Sequence, residues 1–142
     1  MEDNRVSLLP ESDWPMTKPF WASCNENQLS FPRCKQCGKW QWYPTYFCPV
    51  CEGDLEWVKV SNKGTLYSWT KVTMVLQQEY KEKVPYIAAL IDIDDAPGVR
   101  LIVNTLDLEC ESQLKVGMKM DIVFERLSDE INMPRCVISK EN

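Results

Sequence analysis

Histidine is missing altogether from the 142 residues, and with it goes the commonest general base. A Ser-His-Asp triad or a Cys-His dyad cannot be assembled from this chain alone, so any acid–base work would fall to carboxylates or lysines. Positive charge is scarce as well. Sixteen Lys and Arg against 21 Asp and Glu leave a net charge of −5, which opposes the broad basic surface that phosphate-backbone binding relies on. No apolar run reaches the length of a membrane span. The opening MEDNRVSLLPESDWP is acidic and lacks the apolar segment of a signal peptide. Together these absences predict a cytoplasmic protein without its own nucleophile–histidine machinery.

Cysteine, by contrast, is plentiful. Seven cysteines without a secretion signal fit a reducing compartment, with four as metal ligands and three free thiols, Cys24, Cys110 and Cys136. The four fall in RCKQCGKWQWYPTYFCPVCEG, residues 33–53, as two Cys-x-x-Cys pairs, Cys34/Cys37 and Cys48/Cys51. Each pair suits a tight knuckle, and two facing knuckles present four sulfurs to one ion. That is the ligand set of a structural four-cysteine zinc site, closed to water and substrate. Iron suits the same cage. Two redox dithiols or two disulfides are the competing reading, though one pair would suffice for exchange chemistry. Gly38 and Gly53 follow the pairs, where a left-handed backbone turns amides toward sulfur, and Pro49 pre-sets a turn. Arg33, Lys35 and Lys39 flank the first knuckle. They balance the negative charge of four thiolates on a divalent ion, or reach a phosphate of a ligand. Cys110, between Glu109 and Glu111, has neighbours that disfavour a thiolate, and neither it nor Cys136 has a histidine to activate it.

The pattern along the chain is mainly β. Residues 1–28 read as an irregular lead-in and a short helix from Pro19 to about Asn27, with Phe20, Trp21 and Cys24 on one face. Phe20 and Trp21 either pack on the rest of the fold or anchor a partner, since aromatic anchors are enriched at interfaces. Residues 29–60 form the ribbon: a strand at Leu29–Phe31, an extended Lys39–Tyr43 with Trp40 and Trp42 on one face, and Leu55–Ser61. Residues 61–142 carry five strand patterns, at Thr65–Thr73, Val84–Asp94, Val99–Asp107, Met118–Leu127 and Met133–Lys140. A turn occupies Asp95–Gly98, a helical turn or tight loop Glu109–Val116, and a loop or hairpin tip about 75–83. Met118, Met120, Ile122 and Phe124 alternate inward. Five strands joined by turns predict a small closed barrel of the OB-fold type. Such a barrel beside a zinc ribbon would also suit a nucleic-acid-binding module, a reading the acidic balance disfavours.

The running order Phe20–Trp21, Cys34–Gly38, Tyr43–Pro44, Cys48–Cys51, Leu55–Trp57 and Gly64–Thr70 resembles a known family. It is similar to the rubredoxin-like zinc-ribbon plus OB-fold proteins, long a domain of unknown function, that accompany thiolase-like acyl-CoA enzymes. The later segments Pro85–Tyr86, Val99–Leu106 and Leu114–Gly117 extend the likeness from Pro19 onward. The resemblance implies a non-catalytic accessory subunit, two copies flanking a thiolase dimer. The partner, a thiolase, aldolase or synthase, would hold the catalytic residues, and the acyl-CoA thioester would be the substrate of the complex. Relatives of this kind serve acetoacetyl-CoA synthesis, steroid side-chain retro-aldol cleavage and benzoylsuccinyl-CoA thiolysis. The last strand, MPRCVISK, departs from the family pattern, which leads one to expect a more apolar ending.

Overall fold

The computed structural model describes residues 9–76, 78 and 81–142. It is mostly β, with one helix, α1 (Lys18–Cys24). A two-stranded antiparallel sheet pairs β1 (Leu29–Cys34) with β2 (Leu55–Val60). Five further strands close a barrel: β3 (Lys63–Val72), β4 (Tyr86–Ile93), β5 (Arg100–Thr105), β6 (Lys119–Arg126) and β7 (Asn132–Ile138). The order around it is β3-β4-β5-β7-β6, with β6 returning to β3. Closure leaves no sheet edge to aggregate, and the arrangement is that of an OB-fold.

Helix α1 places proline in its first turn, where no amide is needed. It ends sooner than the sequence predicts, at Cys24, because Asn27 takes a left-handed backbone (φ 59°). The Gln28 N–H then reaches back to the Ser23 carbonyl at 3.0 Å, closing the helix end as glycine commonly does. The face carrying Phe20 and Cys24 is buried, an i, i+4 pair on one stripe.

In β4 burial alternates strictly: Ile87, Ala89, Ile91 and Ile93 point inward. Leu66, Leu101, Val103, Met120, Ile122 and Cys136 fill the same core. Met118 and Phe124, expected inside with Met120 and Ile122, are only partly buried but pack against it. Gly64 pairs with both Ile93 and Met120, where β3 meets its two neighbours. A Cβ there would lie 2.2 Å from Ile91 Cγ2 and 2.6 Å from the Asp92 carbonyl oxygen, so this crossing admits only glycine. The seam between β5 and β7 is parallel and short, Asn104 facing Arg135 and Thr105 facing Cys136.

The expected strand at Lys39–Tyr43 is not there. Trp40 makes a single bridge to Arg33, and the chain then bends so that Trp42 turns inward onto Phe20 and Phe31 instead of continuing a ladder. The connection between β6 and β7 buries Ile131, and Asn132 at the start of β7 is buried as well. Residues 109–113 form the short helical turn expected there. Of the loop expected at 75–83, residues 77, 79 and 80 lie outside the described set, as do residues 1–8 of the lead-in.

Candidate functional site

The two knuckles are built alike. Cys34 and Cys48 each accept on their carbonyl a bond from the residue four places on, Gly38 at 3.0 Å and Glu52 at 2.8 Å. Both of those residues are left-handed, with φ 77° and 63°. The position of the second knuckle that needs a left-handed backbone is therefore Glu52, not Gly53 as the sequence suggested. Gly53 is required for another reason. A Cβ on it would come within 3.0 Å of Cys34 Sγ and 3.2 Å of Cys51 Sγ, so a side chain would push into the sulfur cluster.

The sulfurs of Cys34, Cys37, Cys48 and Cys51 all lie within 4.8 Å of one another. Cys34 and Cys51 approach to 3.4 Å, and Cys37 and Cys48 to 3.6 Å. Tetrahedral zinc with bonds of ~2.3 Å sets its sulfurs roughly 3.8 Å apart, so the cluster has the size of a closed zinc site. Backbone N–H groups of Gln36 and Cys37 point at Cys34 Sγ, each at 3.4 Å. The bond from Cys37, then that from Gln36, helps hold the Cys34 thiol down to about 6, favouring the thiolate a metal binds. Cys48 is lowered in the same way, by the Cys51 and then the Val50 N–H, whereas Cys51, despite the Gly53 N–H, is raised to about 12 beside the other sulfurs. The thiols outside the cluster are all raised. Burial pushes Cys24 and Cys136 up to about 12. Burial also raises Cys110, with the nearby carboxylates of Asp107 and Glu111 acting in the same direction. In all three the thiolate is disfavoured.

A groove of about 550 Å³ runs between α1 and the barrel. Trp21 and Trp42 stand on one side, with Ile102, Leu106, Leu127 and Met133 on the other. Ile102 is 72% exposed and Leu106 49%, a concentration of exposed apolar surface beyond the scattered residues normal for a surface. Phe20 also lines this groove, yet at 3% exposure its ring is spent on Trp21, Phe31 and Trp42 at 5.0–6.0 Å. Trp21 is the member of the pair that offers surface. The sequence signal for this groove was present but faint: Ile102 occupies an outward position of β5, where alternation calls for a polar residue. A nucleic-acid surface is not favoured. The outward row of β4 and β5 includes Ala88, Leu90 and Ile102, and its cation, Arg100, is paired with Asp92 at 2.8 Å.

Fold and cluster together define a zinc-ribbon protein with an OB-fold barrel. Residues 21–58 match the family model described as the ChsH2 rubredoxin-like zinc ribbon domain, and residues 57–125 match the ChsH2 C-terminal OB-fold domain. The chain belongs to this ChsH2 family. Its backbone is similar to a chain of the Ltp2-ChsH2(DUF35) aldolase, with a TM-score of 0.76 at 19% identity, covering 89% of this chain and 97% of that one. A protein of unknown function from the DUF35 family of Sulfolobus solfataricus is also similar, with a TM-score of 0.60 at 17% identity. That match covers 91% of this chain and 89% of the other. No curated sequence matches. Among the described residues, no helix is long and apolar enough to cross a membrane.

Proposed function

We propose that this chain is the non-catalytic accessory subunit of a thiolase-like enzyme that makes or breaks carbon–carbon bonds in acyl-CoA substrates. The observation that carries the reading is the pair of adjoining ChsH2 family matches across residues 21–125. The likeness of the whole fold to a chain of an aldolase complex supports it. The chain supplies no histidine and its three thiols outside the cluster are held protonated, which agrees with catalytic residues on the partner.

In this reading Cys34, Cys37, Cys48 and Cys51 hold one structural zinc, and the ion supplies a cross-link rather than chemistry. Residues 1–28, 29–60 and 61–142 act as lead-in with helix, ribbon and barrel of one subunit. The α1–barrel groove, with Trp21 at its rim, docks on the catalytic subunit, and two copies flank a partner dimer in the cytoplasm. The barrel then borders the acyl-CoA path. An apolar patch with an aromatic rim is the composition interface cores favour.

The test is a tagged pull-down from the native host with metal analysis of the purified material. A thiolase-like protein in equal amount, with one zinc per small subunit, is the expected result. Recovery of the chain alone, or with nucleic acid, would overturn the reading. Trp21→Ala then separates docking from folding: it should weaken partner capture at least tenfold while leaving zinc content unchanged.

A further inference from the structure

The groove and the sulfur cluster share one stretch of chain. Residues 38–47 link Cys37, the second ligand of the first knuckle, to Cys48, the first ligand of the second. The two sulfurs stand 3.6 Å apart, so binding one ion closes this stretch into a loop. Trp42 lies at the middle of the loop and is also a wall of the α1–barrel groove. We propose that Trp42 couples the two sites: metal in the knuckles holds the indole in the groove wall, so that loading the cluster pre-forms the groove. That the groove receives a partner rests on the accessory-subunit reading above; the link between metal and groove does not.

The two halves of the loop are anchored differently. Leaving the first knuckle, the chain runs beside β1. The Lys39 carbonyl accepts the Cys34 N–H, and the Gln41 N–H reaches the Pro32 carbonyl, both at 2.8 Å. This half stands on the apolar core and needs no ion. Past Trp42 the support changes. Among the described residues, no backbone bond ties Tyr43–Phe47 to another element. The bonds there are local, from the Gln41 side chain to the Tyr43 carbonyl at 3.3 Å and from the Thr45 hydroxyl to the Phe47 carbonyl at 2.7 Å. Tyr43, Tyr46 and Phe47 are exposed. What fixes the far end of this half is Cys48 in the cluster.

Trp42 sits at the boundary. Its ring lies 5.0 Å from Phe20, 5.1 Å from Phe31 and 5.3 Å from Tyr43. Tyr43 in turn stacks on Trp14 at 6.1 Å, whose carbonyl accepts the Thr17 and Lys18 N–H groups at the start of α1. Both aromatic sides of the groove, Trp42 directly and α1 through Trp14, therefore lean on the loop. Ordering a free chain costs conformational entropy residue by residue, and closing its ends beforehand removes part of that cost.

The simpler account is that Trp42 only fills a socket between Phe20 and Phe31. Those contacts would then hold it whatever the knuckles contain, and zinc affinity would be blind to its side chain. Linkage separates the two accounts. If metal favours the seated indole, the seated indole favours metal by the same factor.

The experiment competes the full chain against a chromophoric chelator for zinc, the parent beside Trp42→Ala, Trp42→Phe and Trp21→Ala. Chemical shifts of Ile102 and Leu106, across the groove from Trp42, are followed as metal is withdrawn. Trp42→Ala should bind zinc about tenfold more weakly, with Trp42→Phe recovering much of the loss and Trp21→Ala matching the parent. Withdrawal of metal should shift Ile102 and Leu106 in the parent and leave them in place in Trp42→Ala. Parent resonances that ignore metal removal overturn the proposal, and that arm needs no variant to fold. Equal zinc affinity in the parent and a folded Trp42→Ala overturns it as well. In a capture assay the zinc-loaded chain should hold the catalytic subunit at least tenfold more tightly than the chelated chain. Equal capture of both sinks this inference alone. Coupling found on the isolated chain while no thiolase-like partner is recovered sinks the accessory-subunit reading and leaves the link between metal and groove.

Discussion

The knuckle lobe at about 35–54 and the rest of the chain are held by different physics. In the lobe, Tyr43, Tyr46, Phe47 and Val50 are exposed; apart from Trp40 and Trp42, which pack against the main core, it buries only Pro44 and Cys48. The barrel, in contrast, encloses a continuous apolar core. The strands leading into the ribbon side with the barrel: Leu29, Phe31 and Val60 share one apolar cluster with Phe20, Leu66 and Ile91. The division between metal-dependent and core-dependent structure therefore falls inside the ribbon, near Cys34, and not at its junction with the barrel. A ribbon read as a separate 32-residue unit would have to be folded by its metal throughout. Here the hydrophobic effect holds its strand half, and the ion is needed for the tip.

Removing the metal gives the largest expected effect and tests where that line runs. Structural zinc contributes on the order of 10 kcal/mol in small peptide sites, far more than the few exposed contacts of the lobe can replace. Chelation, or Cys48→Ser, should abolish amide protection in the two knuckles, residues 35–38 and 44–54, while Leu29, Phe31, the Gln41 amide bonded to the Pro32 carbonyl and the barrel strands keep theirs. Hydrogen exchange resolved by residue reads this directly. Simultaneous loss of protection in β1 and β2 would put the boundary back at the end of the ribbon.

Gly64→Ala attacks the other side of the comparison. The added methyl would sit 2.2 Å from Ile91 Cγ2 with backbone of Asp92 behind it, so neither can yield cheaply. Overpacking of this kind costs about 3 kcal/mol or more. Denaturant unfolding should show the loss, while zinc stoichiometry stays at one, because the atoms the methyl would meet belong to β4 and not to the cysteine cluster. An unaffected midpoint would mean that β3 can shift at the crossing.

What could be read from the sequence divides along the same line. The cysteine spacing, the five strand patterns and the inward Met120 and Ile122 were legible because each is a local rule, a knuckle or a two-residue period. Trp40 and Trp42 also fitted a two-residue period, and both pack against the core, yet no strand continues past Trp40, because Trp42 packs on Phe20 and Phe31 from elsewhere in the chain. The Glu52 left-handed turn was hidden because an adjacent glycine looked the better candidate. The groove was hidden more deeply. It joins segments far apart in the chain, such as Trp21 with Ile102. Only closure of the barrel brings them together.

The junction between the two regimes is polar, and Asn132 is its centre. This buried side chain donates from Nδ2 to the Cys24 carbonyl at 2.7 Å and to Asn27 Oδ1 at 2.8 Å, tying the end of α1 to β7. Asn27 in turn accepts from Asn62 Nδ2 at 2.8 Å, and Asn62 Oδ1 receives the Leu29 N–H at 3.0 Å. Helix, ribbon strand and barrel thus meet in one chain of amides. Asn132→Ala removes both of these bonds, leaving the Cys24 carbonyl only the Asn27 N–H, and should cost about 2 kcal/mol. Its effect should reach protection in both α1 and β1. A loss confined to β7 would show that the apolar contacts of Phe20 and Leu29 alone join the regions.

The smallest effect is a pH dependence belonging to the core side. Cys136 is fully buried in β7, and burial raises its thiol to about 12. A folded-state value above the unfolded one means the folded chain retains the proton longer. The thiol's contribution is therefore complete below about pH 9 and declines as pH rises toward 12, at up to about 1.4 kcal/mol per unit. Cys24 is buried and raised alike, so the two add. Between pH 9 and 10.5 the denaturation midpoint should fall in the parent protein and fall less in Cys136→Ala, which begins lower because of the cavity it leaves. The zinc-bound lobe should keep its amide protection through the same range, since its ligands are already thiolates. If the midpoint of Cys136→Ala falls as steeply as that of the parent, Cys136 is not a source of the alkaline sensitivity.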